Sequence, residues 1–150
     1  MQRTFSIIKP DAVEAGQAGD ILARIEKAGF RLVALRLRHL TREEAEGFYH
    51  VHRARPFFGS LAGFMSGGPC VTMVLEREDA IARLRDLMGA TDPAKAAAGT
   101  IRKDFAKSIE ANCIHGSDAP ETAVFEIGLW FKPEELSDWT PADQGWRVEG

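Results

Sequence analysis

The chain has 150 residues, a length suited to one domain spanning residues 1–150 that buries a core without metals or disulfides. Its hydrophobic share of 45% and charged share of 27% exclude disorder, collagen and coiled coil. A formal net charge of -3 argues against broad nucleic-acid binding, while a local basic pocket for a small anion stays compatible with it.

Phe5 to Ile8 is a β-prone run that ends at Lys9-Pro10-Asp11, where proline cannot continue a ladder and aspartate can open a turn. Leu22, Ile25 and Ala28 repeat at helical spacing from about Gly19, with Gly29 as the C-terminal stop. Val33, Leu35 and Leu37 alternate with other positions as a half-buried strand does. Thr41-Arg42-Glu43-Glu44 fits a capping box, and Ala45, Phe48, Tyr49 and His52 continue its helix until Pro56. Phe58 to Met65 reads as a further helix, closed by Ser66-Gly67-Gly68-Pro69 before the strand Val71 to Glu76.

Glu78 to Met88 predicts a helix with Arg85 in its last turn and Gly89 as its stop. The stretch from Gly89 to Ala111 lacks a strand pattern; Asp92-Pro93 opens a short helix, and Ile101, Phe105 and Ile109 stripe another. Asn112 to His115 predicts the last strand, and Asp118-Ala119-Pro120-Glu121 opens a helix to about Leu129. A C-terminal extension begins near residue 132, broken by Pro133 and Pro141, and its Trp139 and Trp146 suggest that it packs on something. The order βαββαβ fits an α+β, ferredoxin-like fold: a four-stranded antiparallel sheet with helices covering one face. A parallel doubly wound sheet is the weaker alternative.

Cys70 and Cys113 lack metal-binding spacing and read as reduced thiols, which together with the absence of a signal-like or membrane-length apolar run places the chain in the cytoplasm. His115 stands out because it sits in a short apolar run beside a glycine and a helix start. A neutral imidazole nitrogen is nucleophilic near pH 7, so histidine can accept and pass on a phosphoryl group without a separate base. Lys9, Arg55, Arg85 and Arg102 stand beside turn or helix-end signals and could supply the cations. Phosphate loops, dinucleotide fingerprints and protein-kinase elements are missing from the sequence, so phosphate recognition would rest on such scattered charges. His39, His50 and His52 read as ordinary structural histidines.

Five separated segments carry a resemblance: Thr4 to Asp11, Arg55-Pro56-Phe57-Phe58, Gly89-Ala90-Thr91-Asp92-Pro93, Gly99-Thr100-Ile101-Arg102 and Asn112 to Asp118. In this order the chain resembles a nucleoside diphosphate kinase over nearly its whole length. The resemblance implies transfer of the terminal phosphate from a nucleoside triphosphate to a diphosphate, in two half-reactions through a phosphohistidine at His115. It implies phosphate contacts from Arg55, Arg85, Thr91 and Arg102, sugar contacts from Lys9 and Asn112, and Tyr49 reaching the transferring phosphate. Phe57 would stack under the base, a contact that every base can make. Glu126 would orient His115 directly or with Ser117. Mg²⁺ is implied through the nucleotide phosphates rather than a protein-built metal site. The implied assembly is a homohexamer, with a homotetramer as the other possibility, and neither a membrane nor a specific nucleic acid is an expected partner. A binding module on the same sheet, without turnover, is the competing reading.

Overall fold

A computed structural model describes residues 1–139, so Pro141, Trp146 and the end of the predicted extension lie outside the described residues. Four strands, β1 (Gln2–Ile8), β2 (Arg31–His39), β3 (Pro69–Arg77) and β4 (Ile114–Gly116), form one antiparallel sheet in the order β2-β3-β1-β4. Seven α-helices connect them: α1 (Pro10–Glu14), α2 (Ala18–Lys27), α3 (Arg42–Phe48), α4 (Phe58–Ser66), α5 (Ala80–Met88), α6 (Ile101–Phe105) and α7 (Pro120–Trp130). This is the expected ferredoxin-like sheet, not the parallel alternative.

Helices cover both faces of the sheet rather than the single face expected. Alternate residues of β3 explain this, because Val71, Met73 and Leu75 enter one apolar cluster with α2 and α5, while Cys70 and Val74 enter a second with α3 and α4. In β1, Phe5 and Ile7 belong to the second cluster and Ile8 to the first. The central strand β3, buried on both sides, is therefore apolar at every position from Cys70 to Leu75 except Thr72, which hides the polar alternation that a one-sided sheet would show.

Local signals set most boundaries. Thr41 Oγ1 accepts from the Glu44 N–H at 3.0 Å and Glu44 Oε1 accepts from the Thr41 N–H at 2.9 Å, completing the capping box at the start of α3. That helix stops at Phe48 instead of reaching His52, and His50–His52 form a 3₁₀ turn. The adjacent Phe48 and Tyr49 both bury in the second cluster, which pulls the backbone off a helix with a single apolar face. Pro10 and Asp11 start the short α1, with proline at its first position, where only a turn was expected.

The stripe ending at Ile109 does not form one helix: α6 stops at Phe105, and the N–H groups of Lys107 and Ser108 fold onto the Ala111 carbonyl, leaving Ile109 exposed. Trp139 does pack, and it does so on its own chain, donating from Nε1 to the Leu32 carbonyl at 2.8 Å. The Arg31 guanidinium lies 5.9 Å from the centre of its ring.

Candidate active site

Lys9 and His115 come from opposite ends of the chain and meet because β4 pairs beside β1, with Ile7 opposite His115. The Lys9 N–H donates to the Cys113 carbonyl at 2.9 Å. Cys113 has φ +64°, and the Ile114 N–H donates across it to the Asn112 carbonyl at 2.9 Å, a three-residue γ-turn. That positive φ keeps Asn112 and Cys113 out of the predicted strand, so β4 begins only at Ile114. Ser6 Oγ donates to the His115 carbonyl at 2.7 Å, fixing the backbone that carries the imidazole. Gly116 is required by its surroundings, since a Cβ there would lie 2.7 Å from Met88 Sδ on α5.

The His115 ring is held from α7. Glu126 Oε1 lies 3.0 Å from His115 Nε2 and also accepts from Ser117 Oγ at 2.6 Å. A carboxylate demands a donor, so the neutral imidazole carries its proton on Nε2 and keeps a lone pair on Nδ1. Ser117 is buried behind this pair, with its N–H donating to the Phe5 carbonyl at 3.1 Å.

His115, Glu126, Lys9, Tyr49, Arg85, Thr91, Arg102 and Asn112 all line one cleft of about 510 Å³. Lys9 is only 6% exposed; burial, reinforced by the charge of Arg102, lowers its amine to about 8. Burial, with the charge of Glu126 next, raises the Tyr49 phenol above its ordinary range, so it stays protonated at neutral pH. Its hydroxyl and the Asn112 Oδ1 are buried without a protein hydrogen-bond partner.

Arg85 Nη1 donates to the Gly116 carbonyl at 3.3 Å. Arg102 does more structural work than its sequence position suggested. It donates to the carbonyls of Gly89 at 3.0 Å, Ile114 at 2.8 Å and Asn112 at 3.4 Å, so it braces the loop after α5 against the His115 strand. Gly89, at φ +85°, lets Thr100 pack against the same loop, because a Cβ there would sit 2.5 Å from Thr100 Oγ1.

Arg55 and Phe57 are exposed in the segment between α3 and α4 and do not line the cleft. They adjoin it through His52, which does line it, and whose ring centre lies 5.6 Å from that of Phe57. Sequence reasoning passed over His52, Val51, Phe48, Asp118 and Thr122, which also line the cleft. A signal existed for His52 and Phe48, since both lie within a few residues of Tyr49 on one turn; none marked Thr122 on α7.

Comparisons with known proteins identify the family and the overall fold. The family model described as nucleoside diphosphate kinase matches residues 2–136. A nucleoside diphosphate kinase from Synechococcus sp. (strain WH7803) is 58% identical over 149 residues, covering 99% of this chain and 98% of that protein. One from Desulfosudis oleivorans is 60% identical over 136 residues, covering 91% and 98%. Among solved structures, a halophilic nucleoside diphosphate kinase from Halobacterium salinarum in complex with CDP superposes with a TM-score of 0.92 at 41% identity, covering 99% of each chain. The Aquifex aeolicus nucleoside diphosphate kinase superposes at 0.88 with 47% identity, covering 91% of this chain and 99% of that one.

Proposed function

This chain belongs to the nucleoside diphosphate kinase family and moves phosphate between nucleotides, and from that premise we propose that the transfer passes through phosphorylated His115. The observation that carries the proposal is the Ser117–Glu126–His115 chain of contacts, at 2.6 Å and 3.0 Å, which ties up Nε2 and leaves Nδ1 as the nucleophile. In the first half-reaction the Nδ1 lone pair attacks the terminal phosphorus of a triphosphate. A phosphorus–nitrogen bond forms, and the bridging oxygen departs with its electron pair on the diphosphate. In the second, the terminal oxygen of an incoming diphosphate attacks the same phosphorus and the lone pair returns to Nδ1. Glu126 balances the charge that the ring gains while phosphorylated.

Phosphoryl transfer through a loose transition state needs positioning and charge more than covalent help. Arg85, Arg102 and Thr91 would hold the phosphates, Lys9 and Asn112 the sugar hydroxyls near the moving group, and the Tyr49 hydroxyl the phosphoryl oxygens. Arg55 at the rim would add charge as the nucleotide settles. Phe57, 44% exposed, offers its ring as a platform for any base, which supports broad base tolerance. The CDP bound by the halophilic relative fits a site of this kind.

Among the described residues no three His, Cys, Asp or Glu side chains converge as a metal cage, and Glu126 is engaged by His115 and Ser117. Mg²⁺ therefore enters the proposal with the nucleotide, on whose phosphate oxygens it supplies charge neutralisation. No helix among the described residues is long and apolar enough to cross a membrane. The free thiols of Cys70 and Cys113 support a cytoplasmic location. Self-association, as a homohexamer or alternatively a homotetramer, is part of the proposal; the sheet-edge strand β2, where Leu35 and Leu37 are 46% and 61% exposed, supports a contact between copies without setting their number.

The test is to mix the protein with magnesium and a triphosphate labelled in its terminal phosphate. Label should remain on the protein in an acid-labile linkage, and any nucleoside diphosphate should discharge it. His115→Ala should abolish labelling and transfer while nucleotide binding persists. Labelling of that variant at the wild-type rate would overturn the assignment.

A further inference from the structure

Glu126 holds the His115 ring through one hydrogen bond, at Nε2, which lies off the Cβ–Cγ axis and so limits rotation about that bond. A hydrogen bond tolerates some swing, so contacts on the sides of the ring narrow its plane further. The Phe48 ring meets the imidazole edge to face, with centroids 5.1 Å apart and planes at 80°. Phe5 stands next to it at 6.2 Å and 59°.

Phe48 is itself locked. Its ring packs against Phe5 at 5.9 Å, Tyr49 at 4.8 Å and Trp130 at 6.0 Å, and only 7% of the residue is exposed, at the cleft wall. It thus joins three groups that must keep register: the nucleophile on β4, the Tyr49 hydroxyl proposed to meet the phosphoryl group, and the end of α7, which carries Glu126. Edge-to-face contact has a preferred geometry that an aliphatic side chain of similar size lacks.

We infer that Phe48 is a positioning residue for phosphoryl transfer, holding the plane of the His115 ring so that Nδ1 points along the line of attack. The inference rests on His115 being the phosphate carrier. Phe48 needs no contact with the nucleotide, so its loss should slow chemistry while leaving binding in place. Misplacing a nucleophile by a fraction of an ångström is enough to slow transfer by about tenfold or more.

The experiment compares the full-length wild type with Phe48→Leu, Phe48→Tyr and His115→Ala. Single-turnover labelling from a triphosphate, nucleotide dissociation constants and thermal melting are recorded for each, and the ¹⁵N signals of the His115 ring for the three proteins that carry it. Phe48→Leu should label about tenfold more slowly, bind nucleotide within about twofold of wild type, and show broadened ring-nitrogen signals as the imidazole samples more than one orientation. Phe48→Tyr, which keeps an aromatic ring, should retain most of the wild-type rate. If Phe48→Leu labels at the wild-type rate, or keeps wild-type ring signals while its rate falls only in step with its melting temperature, Phe48 has no positioning role. Should His115→Ala still take label, the phosphohistidine reading itself fails; a silent His115→Ala beside a fully active Phe48→Leu refutes the Phe48 inference alone.

Discussion

Arg102→Ala should damage the fold as well as the chemistry, and the size of each effect follows from where the guanidinium goes. Two of its hydrogen bonds are short, to Ile114 at 2.8 Å and Gly89 at 3.0 Å, and the third, to Asn112, is at the weak limit of 3.4 Å. Hydrogen bonds from a charged donor contribute roughly 1.5–3 kcal/mol each, so the two short ones amount to about 3–6 kcal/mol. Part of that is offset, because truncation also releases the cost of burying a guanidinium that is only 6% exposed, and water can reach the freed carbonyls. A net loss of about 2–4 kcal/mol is expected. With a urea slope of about 2 kcal/mol/M for a domain of this size, the unfolding midpoint should fall by about 1–2 M. Single-turnover labelling, measured below that midpoint, should slow by about 10²–10³, the range for removing one donor aimed at developing charge. Arg102→Lys should recover charge but not the forked bracing, leaving stability low while part of the rate returns. A stability of Arg102→Ala within about 0.5 kcal/mol of wild type would refute the bracing argument, and an unchanged labelling rate would remove Arg102 from the site.

Three further outcomes are expected. Because the Lys9 amine titrates near 8 in the folded chain and near 10.5 otherwise, its charge opposes folding below about pH 8; that opposition lifts as pH rises from 8 toward 10.5. Anionic nucleotide should favour the charged amine, so calorimetry at pH 8 in buffers of different ionisation enthalpy should report proton uptake that Lys9→Met loses. Glu126→Gln should keep a polar partner near Nε2 without dictating the tautomer, slowing labelling by about tenfold or more while the affinity for diphosphate changes little; unchanged labelling would dismiss the tautomer argument. Phe57→Ala should raise the Michaelis constant for several nucleotides by a similar factor, and a loss confined to one base would show edge recognition instead of stacking.

The sequence made the elements legible where a side chain acts on its own neighbourhood. The Thr41 capping box, Gly29 and Gly89 as helix stops and Pro120 opening α7 are local devices, and each stands where expected. Failures occur where tertiary packing overrides a local pattern: at Phe48 and Tyr49, which bury together, and at Ile109, whose helical spacing leads nowhere because the chain folds back at Ala111. The site divides the same way. His115, Lys9, Arg85 and Arg102 stand out from local signals, Thr91, Asn112 and Glu126 only from the family pattern, and all seven line one cleft. What no spacing could reveal is that the Arg102 guanidinium braces the loop after α5 against the His115 strand as well as carrying charge, or that Arg55 and Phe57 stand outside the cleft lining while Phe48 packs against the His115 ring.

Several departures from ordinary packing economy lie in or beside that cleft, while others, the buried unpartnered atoms of Thr4, Asp11 and Trp130 and the positive φ of Asp79, lie away from its lining. Lys9 is buried with its amine lowered, Tyr49 and Asn112 keep buried oxygens without partners, and Cys113 holds a left-handed backbone that non-glycine residues avoid. A buried unsatisfied group costs roughly 1–3 kcal/mol, and a strained φ costs a similar amount. The costs at the cleft occur in a chain whose two apolar clusters are buried on both faces of the sheet. Those costs suit a site that would receive an anion, with the Lys9 amine and the Tyr49 hydroxyl held under cover, where charge counts for more than in water. A nucleotide that supplies phosphate and hydroxyl partners removes several of these costs at once. The groups whose burial costs the protein stability are therefore the ones through which a bound nucleotide should stabilise it.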